Sequence, residues 1–310
     1  MDISLFLAAA VVAGTPLLFA TLGGILNEKV GHLNLGVEGM MLMGAVAGFI
    51  VGYRTNNPAL ALLGAALVGA IGALIYAVLT VSLHANQVVT GLALTIFGTG
   101  FSGFLGQSMV GQIISEELKK KLAPVRIPVV SEIPVIGEAL FNQSPFVYLG
   151  YISAILLFIY FVYTNWGLNA RMIGENPGAA DAAGINVNLY KYTHILAGGA
   201  LCALGGAFLP LVYVPAWQEG ITAGRGWIAV ALVIFAAWNP LKAILGAFLF
   251  GGLDILGFRL QGAGFHVNQY FLDMVPYAVT IAVLIISSIK KNSLNAPPKG
   301  LGNAYFREER

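Results

Sequence analysis

The chain has little charge, one cysteine and none of the common motifs of a chemical active site. Only 10% of its 310 residues are Asp, Glu, Lys or Arg, against roughly 25% in an average soluble domain. The formal charge of +2 is too small to draw nucleic acid or an acidic substrate. The lone Cys202 excludes an internal disulfide and any cysteine-based metal cluster. No glycine is followed by lysine, so there is no P-loop to cradle nucleotide phosphates, and any ATP must be handled by another chain. H-E-x-x-H and G-x-S-x-G are missing as well. His32, His84, His194 and His266 are too dispersed for their spacing to suggest a metal site. A membrane enzyme is therefore poorly supported.

What is present is apolar. Hydrophobic residues make up 58% of the chain, mean hydropathy is +0.82, and there are 39 glycines, a composition that suits close helix packing in lipid. These features predict an all-α polytopic membrane protein forming a single transmembrane domain over 1–310, with about eight to nine membrane segments, one of them a half-span. Apolar runs fall at 5–26, 40–53, 58–83, 88–105, 146–163, 192–213, 227–238, 241–256 and 271–289. The first lacks the basic start and cleavage pattern of a secretory signal and reads as a retained span. Within 58–83, Ala61, Ala65, Gly69, Ala73 and Ala77 put a small residue at every fourth position, a groove for another helix. Gly198, Cys202 and Gly206 repeat the device, so Cys202 reads as a packing residue.

Four stretches interrupt this pattern. Residues 174–185, GENPGAADAAGI, carry helix punctuation at both ends: Asn176 as N-cap, Pro177 at the first helical position and Gly184 as a left-handed stop. The result is a short polar-flanked rod outside the membrane, rich in alanine, which another protein could approach closely or which is simply a helical loop. Residues 27–39 place Asn27, Glu28, Lys29, His32, Asn34 and Glu38 among three glycines. They form either an elbow outside the bilayer or a broken helix facing a cavity. Glu38 discriminates, because an ionised carboxylate before the apolar 40–53 run is costly unless partnered or wet. Residues 106–145 form a long, nearly neutral loop, with a short helix capped by Ser115. Finally, 227–238 is apolar for only half a membrane thickness and stops at Asn239-Pro240, as transporter half-helices do. An ion-coupled carrier working alone would show more acidic residues deep in its spans. Asp254 and Asp273 lie near predicted span ends, where Arg259 could neutralise either. Counting basic residues puts nine on the 174–185 side and seven on the other, which places 164–190 and the tail 290–310 in the cytoplasm and 106–145 outside.

The block VGHLNLGVEGMMLMGA at 30–45, together with GENPGAADAAGINV at 174–187, resembles the permeases of bacterial ABC importers in the branched-chain amino acid and simple-sugar group. The lead-in Gly23-Gly24-Ile25-Leu26-Asn27-Glu28 and the tail APPKGLGNAY at 296–305 are most similar to permeases of nucleoside importers served by basic-membrane-protein-type binding lipoproteins. The resemblance implies a transport subunit of the inner membrane that binds no cofactor itself and works by alternating access. Its expected partners are cytoplasmic ATPases using ATP-Mg, a second permease that is a larger paralogue, and an extracellular binding lipoprotein. It implies that Gly174, Glu175, Asn176, Pro177, Ala179, Ala180, Asp181 and Gly184 form the ATPase-coupling element. A nucleoside path would offer aromatic faces and neutral polar groups, and Asn34, Gln87, Thr90, Phe97 and Trp227 are the candidates, with Glu38 either accepting from ribose hydroxyls or bracing a break. Simple sugars and branched-chain amino acids are the alternative substrates.

Overall fold

The computed structural model describes residues 3–262, 269–289 and 296–307. Among them thirteen helices follow one another: α1 (Ile3–Lys29), α2 (Val37–Thr55), α3 (Pro58–Ala77), α4 (Gln87–Gly106), α5 (Glu116–Lys121), α6 (Ile136–Phe141), α7 (Pro145–Tyr163), α8 (Asn165–Glu175), α9 (Pro177–Ala182), α10 (Val187–Phe208), α11 (Arg225–Phe235), α12 (Pro240–Gly262) and α13 (Gln269–Ile289). Single π turns, Val78–Ser82 and Leu209–Tyr213, prolong α3 and α10. The only strands among the described residues are β1 (Val125–Arg126) and β2 (Asn142–Gln143), paired antiparallel in the long loop. Many helices start at a small polar residue whose side chain accepts from the first free N–H groups, as Asn57, Asn86, Ser115, Ser144, Thr164, Asn176 and Asn186 do.

Seven of these helices, α1 to α4, α7, α10 and α12, are long and apolar enough to cross a membrane. The 21-residue α13 and the eleven-residue α11 complete the set of eight long segments and one half-span. The bundle has an inner and an outer ring. Over their most apolar stretches, 61–72% of the residues of α1, α2 and α10 are buried, against 22–33% in α3, α4, α7 and α12. The outer helices are amphipathic in size rather than polarity. In α3, Ala61, Ala65, Gly69, Ala73 and Ala77 all face inward, while Leu60, Leu63, Leu67 and Ile71 point out. A side chain on Gly69 would collide with Gly199 and Ala203 of α10, so the stripe sets the helix separation. Cys202 is fully buried beside Gly23 and lies 3.7 Å from the Ala20 carbonyl, a packing residue as its spacing suggested.

The two ends of the bundle differ. At one, α5, α6 and the β1–β2 pair cap the spans, with Trp217 wedged against Phe49 and Gly106. At the other, α8 and α9 lie against the end of α1, where Gly174 packs on the Lys29 backbone. Several sequence expectations shift here. Asn27 and Glu28 are not in a break but in the last turns of α1. The span expected at 192–213 starts earlier, since α10 begins at Val187 and takes in Lys191, which is buried. Gly174 and Glu175 end α8 and are not part of the rod, which is α9 alone. Asp254 is paired not with Arg259 but with Arg225, at 2.9 Å, while Arg259 lies over the Phe6 ring. The side chain of Asp273 lies outside the described residues.

Candidate functional site

Helix α1 does not turn directly into α2. Gly31 takes a left-handed φ of +83°, residues 32–34 run without helical bonding, and α2 starts at Val37. This elbow is pushed in among the spans. Tyr76 Oη donates to the Leu33 carbonyl at 2.9 Å, and Thr95 Oγ1 to that of Leu35 at 3.0 Å. Gly39 packs against Leu94 and Thr95, two turns into α4. The first turn of α2 thus lies within the bundle, while Gly31 at the other end of the elbow packs beside the tail.

A second irregular segment comes from the opposite end. After α10 the chain descends along α4, with Trp217 against Gly106 and Glu219 near Gly103, and then starts α11 at Arg225. α11 runs back towards the α8–α9 end, where Val233 meets Gly24. The two irregular segments meet at Glu38. One oxygen accepts from Thr222 Oγ1 at 2.6 Å and from Gly224 N–H at 2.9 Å; the other accepts from Gly226 N–H at 2.6 Å. A carboxylate at the amino end of a helix satisfies otherwise orphaned N–H groups and sits at the positive end of the helix dipole. Glu38 is the cap that α11 lacks in its own sequence, since residue 224 is glycine at φ +81°. Gly226 must be glycine because a Cβ there would strike the Glu38 backbone. The far end is fastened in the same way. Trp238, in a tight turn with φ +53°, donates its indole N–H to Glu28 Oε2 at 2.6 Å.

Beside the cap, Arg225 pairs with Asp254 of α12 and lies over the Tyr213 ring at 5.3 Å. These side chains are 16% and 34% exposed, so the pair is neither sealed nor free. Of the candidate path residues, only Trp227 and Phe97 face outward, at 38% and 50% exposure. Phe97 stacks on Phe101. The others are internal. Asn34 Oδ1 accepts from Gly36 N–H, closing a local turn. Gln87 accepts from Leu33 N–H at 2.8 Å and donates to the Asn303 carbonyl at 3.3 Å. Thr90 is buried in α4. Glu38 braces; its oxygens are taken up by α11. The sequence reading named Asp254 with the wrong partner and missed Thr222 and Arg225, although the glycines on both sides of Arg225 were a visible sign of close backbone approach.

α9 matches its sequence punctuation: Asn176 Oδ1 accepts from Ala179 N–H at 3.0 Å, Pro177 opens the helix and Gly184 has φ +82°. Its alanines are not all bare, however. Ala180 is fully buried in the core with Ile173 and Val187, whereas Ala179, Ala182 and Ala183 are exposed. The outward face is therefore Glu175, Asn176, Ala179, Ala182, Ala183 and Gly184. Asp181 is turned sideways, accepting from Tyr305 Oη and pairing with Arg307.

A bundle of membrane-crossing helices, a half-helix capped from across the fold and a small-residue rod at one end define a transporter's membrane subunit. The family model for the permease component of branched-chain amino acid transport systems matches residues 6–284, and the chain belongs to that family. It is similar to a Haloferax volcanii ABC permease provisionally named for glucose, 36% identical with 97% of each chain covered. It is also similar to the nucleoside ABC transporter permease of Lactococcus lactis, 34% identical over 92% of each, and the guanosine ABC transporter permease of Bacillus subtilis, 32% over 91% of each. Each of these organisms also has a second matching permease, 22–27% identical, of which this chain covers 77–78%. The protein is thus a multi-pass ABC permease, a transport component rather than a catalyst, of a family that works with ATPase and substrate-binding components.

Proposed function

We propose that this permease forms half of the gate of an ATP-driven nucleoside importer, with hydrolysis on separate ATPase subunits. The observation that carries the coupling part is α9, a six-residue helix with one alanine face locked into the core and the other bare. A rod held on one side and open on the other can receive a push and hand it to the spans. ATP-driven closure of the ATPases would press on Ala179, Ala182 and Ala183. α7 and α10, on either side of the α8–α9 loop, would then tilt as rigid bodies to open the path alternately to each side. The second, longer permease of each related organism supports a pore built from two unlike permeases, and the family's reliance on binding components supports capture by an extracellular lipoprotein.

For the substrate, the nucleoside- and guanosine-named relatives support a flat base with a ribose. Trp227 and Phe97 offer aromatic faces for the base, and the Arg225–Asp254 pair offers polar groups for hydroxyls. The relative named for glucose favours a second reading, a hexose, which the same polar pair would also suit. Uptake of labelled guanosine should be lost in cells deleted for this gene and any duplicate. It should be blocked by excess unlabelled nucleoside and not by glucose, ribose, galactose or leucine. Guanosine uptake that persists in the deletion strain, with labelled glucose uptake lost, would replace the nucleoside assignment with the sugar one.

A further inference from the structure

The tail, 296–307, does not hang free below the bundle. Gly300 N–H donates to the Gly174 carbonyl at 2.8 Å and Gly302 N–H to that of Gly31 at 3.1 Å, tying the tail to the end of α8 and to the elbow. The Asn303 carbonyl accepts from Gln87, whose other end holds Leu33 of the elbow. His84, in the α3–α4 turn, places Nε2 3.1 Å from the Tyr305 carbonyl oxygen and stacks its ring on Phe306 at 4.5 Å. Tyr305 Oη then donates to Asp181 of α9 at 2.9 Å, its ring lies under Lys191 of α10, and Arg307 pairs with Asp181 at 3.2 Å. A dozen residues thus touch the elbow, α4, the α3–α4 turn, α8, α9 and α10. Between this segment and α9 runs an open groove of about 660 Å³, bordered by His84, Asp181, Asn186, Tyr305 and Arg307.

We propose that 298–307 is a strap that relays movement of α9 to the elbow, and through Glu38 to α11, with Tyr305 as its positioning residue. The inference rests on α9 being the ATPase-coupling helix and adds the route by which its displacement reaches the half-helix. The contacts form one unbroken chain: Asp181 to Tyr305, the backbone to Asn303, Gln87, Leu33, the start of α2, Glu38, and the amino end of α11. A chain of this sort carries coupling only if the elements it joins shift together. The strap joins the two, its glycine backbone bonded to the elbow and its aromatic end bonded to α9, and the variants below test whether they move together.

The test uses the full-length permease in its assembled complex in proteoliposomes, reading guanosine uptake and ATP hydrolysis together. The double variant Tyr305→Phe with Arg307→Gln removes the Tyr305 hydroxyl and the Arg307 guanidinium from Asp181 and keeps the aromatic ring. It should keep its ATPase subunits and its hydrolysis, while uptake per ATP falls by about fivefold, within the range by which contacts along a coupling network act. His84→Ala loosens the strap's aromatic end from the α3–α4 turn without touching α9 and should give a smaller fall of the same kind; if the double variant does not assemble, His84→Ala decides alone. Normal uptake per ATP in the strap variants, alongside a fall in Ala182→Trp on the outer face of α9, overturns the strap and leaves the coupling helix standing. Normal uptake per ATP in all three overturns both.

Discussion

Residues 27–39 and 174–185 are two polar interruptions of similar composition, each with asparagine, glutamate and glycine between apolar runs, and they have opposite fates. In the first, Asn27, Glu28, His32, Asn34 and Glu38 are all buried. In the second, Glu175, Asn176, Ala179 and Ala182 to Gly184 are exposed. The difference lies in what each stretch finds to bond with. In the elbow the two carboxylates, Glu38 and Glu28, find donors at the start of α11 and in the α11–α12 turn, and the Leu33 and Leu35 carbonyls find hydroxyls of α3 and α4, so these groups go inward as braces. The rod caps its own helix with Asn176 and takes from outside a seat for Ala180 and the tail's hold on Asp181. Polarity marks both as special and does not say which one faces water.

That contrast is broken most severely at Glu38. Glu38→Ala leaves Thr222 Oγ1, Gly224 N–H and Gly226 N–H without their acceptor. At about 1–3 kcal/mol for each buried donor left unsatisfied, it should lower the thermal unfolding midpoint of the purified permease by several degrees or more. An unchanged midpoint with lost substrate binding would instead make Glu38 a substrate contact. On the rod, Ala182→Trp should change stability by no more than about 0.5 kcal/mol, as exposed substitutions do, yet reduce uptake about tenfold or more, equivalent to 1.4 kcal/mol of barrier. Equal losses of stability at both sites would erase the distinction between brace and docking face.

Two smaller effects sharpen it. Trp238→Phe keeps an aromatic ring but removes the N–H that holds Glu28, at a cost of about 1–3 kcal/mol for that bond on top of the lost indole volume, measurable by denaturation in detergent. His32 gives a pH signature. Burial, and secondarily the charge of Lys191, hold its imidazole well below the usual histidine range. The folded protein therefore binds fewer protons than the unfolded one once pH drops under about 6.5, the unperturbed value. The contribution is complete above that pH and is lost as pH falls towards the folded value. His32→Gln should flatten this part of the stability profile, and an unchanged slope between pH 7 and 5 would exclude His32 as its source.

Much of the fold was legible in the sequence because the spans are announced by apolar length and their packing faces by small residues every fourth position. The stop and start signals of α9 and the half-length of α11 could be read for the same reason: Asn, Pro and Gly act on the backbone next to them. What could not be read depends on contacts distant in sequence. Nothing local to Glu38 says that its partner lies at Gly226, 188 positions on. Neutral polar chemistry makes Asn34 and Gln87 candidates for lining a path, and that chemistry suits a structural bond as well as a solute. Ala180 looked as bare as Ala182, and only the seat formed by Ile173 and Val187 separates them.

The central claim is that the outer face of α9 lies in the cytoplasm against an ATPase. The native Cys202 is fully buried, so Ala182→Cys creates one reactive thiol against a silent background. A membrane-impermeant maleimide should leave it unlabelled in intact cells, label it in inside-out vesicles stripped of ATPase, and lose access when the ATPase is restored. Labelling in intact cells would place α9 outside and contradict the account.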